Sequence, residues 1–138
     1  VTTSVLVDSN IFLDVFTGGL ESSWSAEALA EAGRDASLGV NPVIWSEIST
    51  RFATESDLAE ALSGLPLEKY TIPYEAAFLA GKVHLAYRRA GGARERTLPD
   101  FLIGAHAAIG GHRLLTRDAA RYRSYFPSIE IISPETHS

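Results

Sequence analysis

Val5-Leu6-Val7-Asp8-Ser9-Asn10-Ile11-Phe12-Leu13 reads as a strand that gives way, through a polar turn, to a helix. The apolar run is short and does not alternate, as expected of a strand covered on both faces. The same unit recurs outward along the chain. Residues Ser22 to Ala36 are amphipathic, with Ala26, Leu29, Ala30 and Gly33 on one face and Glu27, Glu31 and Arg34 left for water. Leu38-Gly39-Val40 forms a second strand candidate, punctuated by Asn41-Pro42, and Val43 to Phe52 resumes helical spacing through Ile44, Ile48 and Phe52. Glu55 to Leu62 suggests a short helix, and Tyr70-Thr71-Ile72 a third strand ended by Pro73.

The second half continues the alternation. Tyr74 to Ala90 carries Ala76, Ala80, Val83 and Tyr87 on one stripe and stops at Gly91-Gly92. Asp100 to Ile109, opened by Pro99, is apolar nearly all round and predicts a buried central helix ending at Gly110-Gly111. Arg113 to Thr116 is the next strand, Arg117-Asp118 begins a turn and short helix, and Ile129 to Ile132 is a last strand. Strands that alternate with helices predict a three-layer α/β/α domain with a mainly parallel central sheet. Residues 1–138 show no internal repeat or linker, so one domain is expected.

Composition narrows the chemistry. A chain of 138 residues with 46% hydrophobic and 21% charged residues is neither disordered nor fibrous. It has no cysteine, which excludes disulfides, thiolate zinc sites and cysteine nucleophiles. No apolar run is long enough for a membrane span and the opening does not look like a signal peptide, so no membrane partner and a cytoplasmic location are expected. The net charge of −5 argues against a nucleic-acid binder, but it is unevenly spread. From Lys82 to Arg123 there are nine basic and three acidic residues, which leaves a deficit of eleven on the remainder. Scattered arginines can simply solvate helix faces, whereas clustering on this scale favours an anionic partner.

In an open parallel sheet, ligands collect beyond the carboxyl ends of the strands. Asp8 and Asp118 each follow a strand, and Asp100 opens the central helix. Taken singly, each is explained by helix capping or by the helix dipole. Taken together, three carboxylates at one sheet edge repel unless a cation joins them, and a shared site becomes the simpler account. Glu47 flanks the Ile44, Ile48, Phe52 stripe, where an exposed salt bridge to Arg51 explains it equally well. An all-oxygen cluster suits magnesium or manganese, and metal-assisted phosphodiester hydrolysis is the chemistry such clusters support. His84, His106, His112 and His137 lack ligand spacing and are read as core-edge, loop or tail residues. There is no P-loop, dinucleotide fingerprint or nucleophile elbow.

The sequence resembles the PIN-domain ribonucleases, and within them the VapC-like toxins of bacterial toxin-antitoxin systems. The resemblance covers essentially the whole chain and rests on four ordered motifs: LVDSNIFLD with Asp8, VIWSEISTRF with Glu47, LPDFLIGAHA with Asp100 and LLTRD with Thr116 and Asp118. It implies that Asp8, Glu47, Asp100 and Asp118 hold one or two magnesium or manganese ions, with Asn10 and Thr116 as hydrogen-bonding support. Asn10 stands where many relatives have Thr or Ser. The resemblance further implies cleavage of single-stranded RNA, an antitoxin partner lying over the acidic pocket, and a homodimer or larger oligomer. Arg94 and Arg96, just before Asp100, are candidates for gripping RNA phosphates. Trp24, Trp45 and Phe52 could line a groove, although core packing accounts for each. Two rivals are weighed. A receiver-type phosphotransfer domain fits poorly, because Asp8 lacks an acidic partner two residues on. A non-catalytic RNA-binding or protein-interaction module would not need all four carboxylates.

Overall fold

Val5, Leu6 and Val7 have no exposed surface, because the strand they form, β1 (Ser4–Val7), is the middle of a five-stranded sheet. A computed structural model describes residues 3–19, 22–92 and 96–137. β2 (Ser37–Val40) and β4 (Arg113–Leu115) flank β1, β3 (Leu67–Lys69) lies outside β2, and β5 (Ile131–Ile132) lies outside β4. Every pairing is parallel, with Leu6 in register with both Gly39 and Leu114. The order β3-β2-β1-β4-β5 reverses direction at β1, so a crevice is expected where the carboxyl ends of β1 and β4 adjoin. The three-layer α/β/α architecture expected from the sequence is borne out, and the sheet is wholly parallel.

The intervening helices are α1 (Ser9–Thr17), α2 (Ser22–Asp35), α3 (Pro42–Ser49), α4 (Glu55–Ala61), α5 (Tyr74–Arg89), α6 (Leu98–Gly110) and α7 (Ala120–Arg123). α6 is the buried helix the sequence predicts: Phe101 and Ile103 through Ala107 are all enclosed, and Gly111 ends it in the left-handed conformation. Among the described residues no helix is long and apolar enough to cross a membrane.

Four expectations need correction. No separate turn stands between β1 and α1, because Asp8 itself caps the helix. The buried stripe of α2 is Ser25, Leu29 and Ala32, one residue away from the predicted face, and Ala26, Ala30 and Gly33 are exposed. The Ser25 hydroxyl causes the shift by donating to Asp14 Oδ2 at 2.7 Å, a buried polar contact that a hydrophobic wheel does not register. The third strand is Leu67–Lys69 rather than Tyr70 to Ile72. It is an edge strand with Glu68 and Lys69 exposed, so it lacks an apolar signature, while the Tyr70 ring folds back over Gly39. A Cβ on Gly39 would lie 2.0 Å from that ring, so β2 needs glycine at this position. The last strand is limited to Ile131 and Ile132.

His106, 2% exposed, lies in the core rather than at its edge. Asn41 fixes its protonation: Asn41 Oδ1 accepts from Ile44 N at 2.9 Å, which turns Nδ2 towards His106 Nδ1, also at 2.9 Å. The ring must therefore accept at Nδ1 and be neutral. Burial, with His112 beside it, depresses its pKa from 6.5 to about 4. The sign follows. Because the folded pKa is the lower one, this group's contribution is complete above 6.5 and is lost as pH falls through about 4. The stability difference between the parent and His106→Gln should shrink by about 2 to 3 kcal/mol on acidification across that window. Denaturant melts at a series of pH values measure it, and a pH-independent difference would exclude a neutral buried imidazole.

Candidate active site

Asp8 is placed by backbone pairing. Its amide donates to Leu115 O at 2.9 Å, which prolongs the β1–β4 ladder by one residue and sets the side chain, 2% exposed, at the mouth between the two strands. Its Oδ1 accepts from Ser9 N at 2.7 Å, and its Oδ2 from Thr116 Oγ1 at 2.9 Å and Tyr122 OH at 2.8 Å. Asn10 Nδ2 donates to Thr116 Oγ1 at 3.2 Å, while Asn10 Oδ1 accepts from Arg117 N at 3.1 Å. Asn10 and Thr116 are thus hydrogen-bonded to one another beside Asp8. Thr116 Oγ1 also accepts from Asp118 N at 3.1 Å and so joins the two strand-end acids.

Glu47 is half-buried on α3, and its Oε1 accepts from Ser9 Oγ at 2.9 Å. The i,i+4 salt bridge to Arg51 is absent among the described residues. Asp100 is buried in the first turn of α6, where its Oδ2 accepts from Thr97 N at 3.0 Å. Asp8 and Asp100 both make the capping contacts that the sequence suggests. Asp118 precedes α7 and, like Glu47, is partly exposed. Arg121 Nη1 donates to Asp100 Oδ1 and Nη2 pairs with Asp118 Oδ2, both at 3.2 Å.

The electrostatics connect all four acids. Burial pushes the Asp8 carboxyl up, against the hydrogen bonds from Tyr122, Thr116 and Ser9. Burial also raises Glu47, and the charges of Asp8 and Asp100 add to that rise. Arg121 acts in the opposite sense on both. Burial works against the Arg121 charge itself, but Asp100, Asp118 and Asp8 help hold it firmly protonated. The Tyr122 hydroxyl, enclosed and bonded to Asp8, is kept neutral. Among the described residues, no three acidic or histidine side chains stand ready to enclose a metal ion as they are. Asp100 Oδ1 and Asp118 Oδ2 face Arg121. The donor set, all oxygen and partly neutralised by one guanidinium, is of the kind that suits a hard dication.

Tyr122 and Arg121 are the functional candidates that sequence reasoning missed. Both lie in a run of aromatic and basic residues after Asp118, where helical spacing from Asp118 to Arg121 was the available signal. Arg96 does not project freely: Nη2 donates to Ala120 O at 3.1 Å, next to Arg121. Arg94 lies outside the described residues. Trp24, Trp45 and Phe52 are partly buried against the main core, and grooves pass beside them.

The sequence matches the PIN domain family over residues 5–126. No curated protein matches it. Among solved structures the fold is similar to VapBC2 from Rickettsia felis bound to a DNA fragment from their promoter, with TM-score 0.73, 13% identity, and coverage of 95% of this chain and 98% of that one. It is similar to a toxin-antitoxin complex from Klebsiella pneumoniae at TM-score 0.65 and 22% identity, covering 94% and 97%. It also resembles VapBC-1 from nontypeable Haemophilus influenzae at TM-score 0.71 and 13% identity, covering 95% and 98%. At such identities these likenesses establish the fold.

The raised Asp8 pKa has a measurable consequence in the metal-free protein. A group with a raised folded pKa contributes fully below its unfolded value, near 3.8, and that contribution is lost as pH rises through the folded pKa. Ionised Asp8 therefore costs stability at neutral pH. In chelator, Asp8→Asn should melt about 2 to 5 °C above the parent near neutral pH, and the gap should close on acidification. Equal melting at neutral pH would show that the buried carboxylate is fully compensated by its donors.

Proposed function

Because this chain belongs to the PIN domain family, we infer that it is a divalent-metal-dependent endoribonuclease and the toxin of a VapBC-type toxin-antitoxin module. PIN domains are in general nucleases. The observation that carries the reading is the gathering of Asp8, Glu47, Asp100 and Asp118, from four separate motifs, around the β1–β4 mouth. Ionic charge enclosed as Asp8 is, with Glu47 feeling its charge and that of Asp100, opposes folding, and a helix cap alone would not need such a cluster.

Asp8, Glu47, Asp100 and Asp118 would hold magnesium or manganese. The bound ion would supply charge to shield the scissile phosphate and to polarise the attacking water. The protein's own task is positional. Thr116, Tyr122 and Ser9 lock the Asp8 carboxylate in one orientation, and the Ser9 hydroxyl carries that order to Glu47. Asn10 supports the same frame by holding Thr116 and the Arg117 backbone. Arg94 and Arg96 would meet RNA phosphates at the entrance to α6. The toxin-antitoxin complexes among the structural neighbours support a protein partner; in this reading it covers the acidic site, and a homodimer or higher oligomer acts in the cytoplasm.

The deciding experiment incubates the protein with a panel of transfer, ribosomal and messenger RNAs, with and without chelator. Cleavage should disappear in chelator and return with magnesium or manganese. Asp100→Asn should reduce it to background with an unchanged circular dichroism spectrum, whereas near-parent activity would remove Asp100 from the site. No cleavage of any RNA by the parent would favour a non-catalytic binding module. For the entrance, Arg94→Ala combined with Arg96→Ala should weaken RNA binding and lower the slope of log K against log salt by about 1 to 2. An unchanged slope places both arginines off the RNA path.

A further inference from the structure

Resting on the reading of the four carboxylates as a cation site, we propose that Arg121 is an internal counter-cation that closes this site and must leave Asp100 and Asp118 before a divalent ion enters. The geometry is specific. The guanidinium does not fork onto one carboxylate but spans two, one nitrogen on each, at 3.2 Å in both cases. The oxygens it engages are those a metal ion would need. Asp100 Oδ2 is already committed to the Thr97 backbone amide, so Oδ1 is the oxygen left for a cation, and Arg121 takes it.

A dication on that oxygen would stand within ion-pair distance of a guanidinium. Two positive charges so close, in a partly desolvated mouth, repel strongly, and one of them must go. Arg121 is the one free to move, since its side chain is 36% exposed while that of Asp100 is 11% exposed and Asp8 is enclosed. Its influence is not confined to its two partners. It stabilises the ionised forms of Asp8 and Glu47 as well, so a single cation moderates the repulsion of the whole group. The neighbouring Arg117 has its Nε on Asp14 Oδ2 at 2.7 Å.

The test measures manganese binding without RNA, by the electron paramagnetic resonance of free Mn²⁺, on the parent, Arg121→Gln and Arg121→Lys. If Arg121 competes with the ion, Arg121→Gln should bind manganese about tenfold more tightly, consistent with the loss of two partly exposed ion pairs. Arg121→Lys, which keeps the charge, should stay near the parent. In chelator Arg121→Gln should melt below the parent and regain that loss on adding manganese. A merely structural arginine would give weaker or unchanged binding in Arg121→Gln, and that result overturns the proposal while leaving the cation site standing. If Arg121→Gln does not fold, the parent alone decides: the Arg121 Nε–H resonance should move on magnesium saturation, and a fixed resonance with bound magnesium also overturns it. Absence of manganese binding in every variant would bring down the cation reading itself, and this proposal with it.

Discussion

A carboxylate sealed between two central strands is an expensive thing for a small domain to keep, and the structure around Asp8 is organised by that cost. Enclosure alone pushes its proton affinity up, so the ionised form persists only where donors meet it from several directions. Those donors come from distant parts of the chain: the first amide of α1, a threonine just past β4, and a tyrosine on α7. Each constrains its own element, so strand pairing, helix entry and the docking of α7 are mutually dependent. The parallel order with β1 at its middle makes this possible, because a residue leaving the central strand is within reach of both neighbouring crossovers.

Charge in this chain is settled locally. The basic excess between Lys82 and Arg123 suggests a cationic surface when read along the sequence. In three dimensions much of it is paired with carboxylates. Arg117 meets Asp14, Arg121 meets Asp100 and Asp118, and Arg113 and Arg123 face Glu130 and Glu135 at 3.8 and 3.7 Å. A linear charge balance therefore overstates the field available to an anionic partner, and a phosphate-binding path depends on the few cations that remain uncommitted.

What could be read from the sequence was whatever depends on local periodicity or on the ends of elements. Asp8, Asp100 and Asp118 were visible because each sits at a strand exit or helix entry, and β1, α5 and α6 because their hydrophobic patterns are strong. Glu47 was left between a salt bridge and a site, and the Ser9 hydroxyl, a residue with no signal of its own, is what resolves its contact. The misplaced face of α2 and the displaced edge strand have a common cause: buried polar contacts and exposed edges do not follow the hydrophobic pattern. Tyr122 acquires its meaning only when α7 approaches β1, and for Arg121 the spacing from Asp118 announces one partner but not Asp100.

The hydrogen bonds that close on Asp8 from Thr116 and Tyr122 span 108 and 114 residues. Contacts of such separation form late, after the loops between them have been ordered. During synthesis the chain emerges from its amino end, so Asp8 is translated early and waits for its partners until nearly the whole domain has left the ribosome. The acidic centre is consequently among the last features to be completed. A nascent chain that stops short of β4 has Asp8, Glu47 and Asp100 but neither Asp118 nor the Thr116 and Tyr122 donors that orient Asp8. This order of assembly delays the completed acidic frame until nearly the whole domain is present.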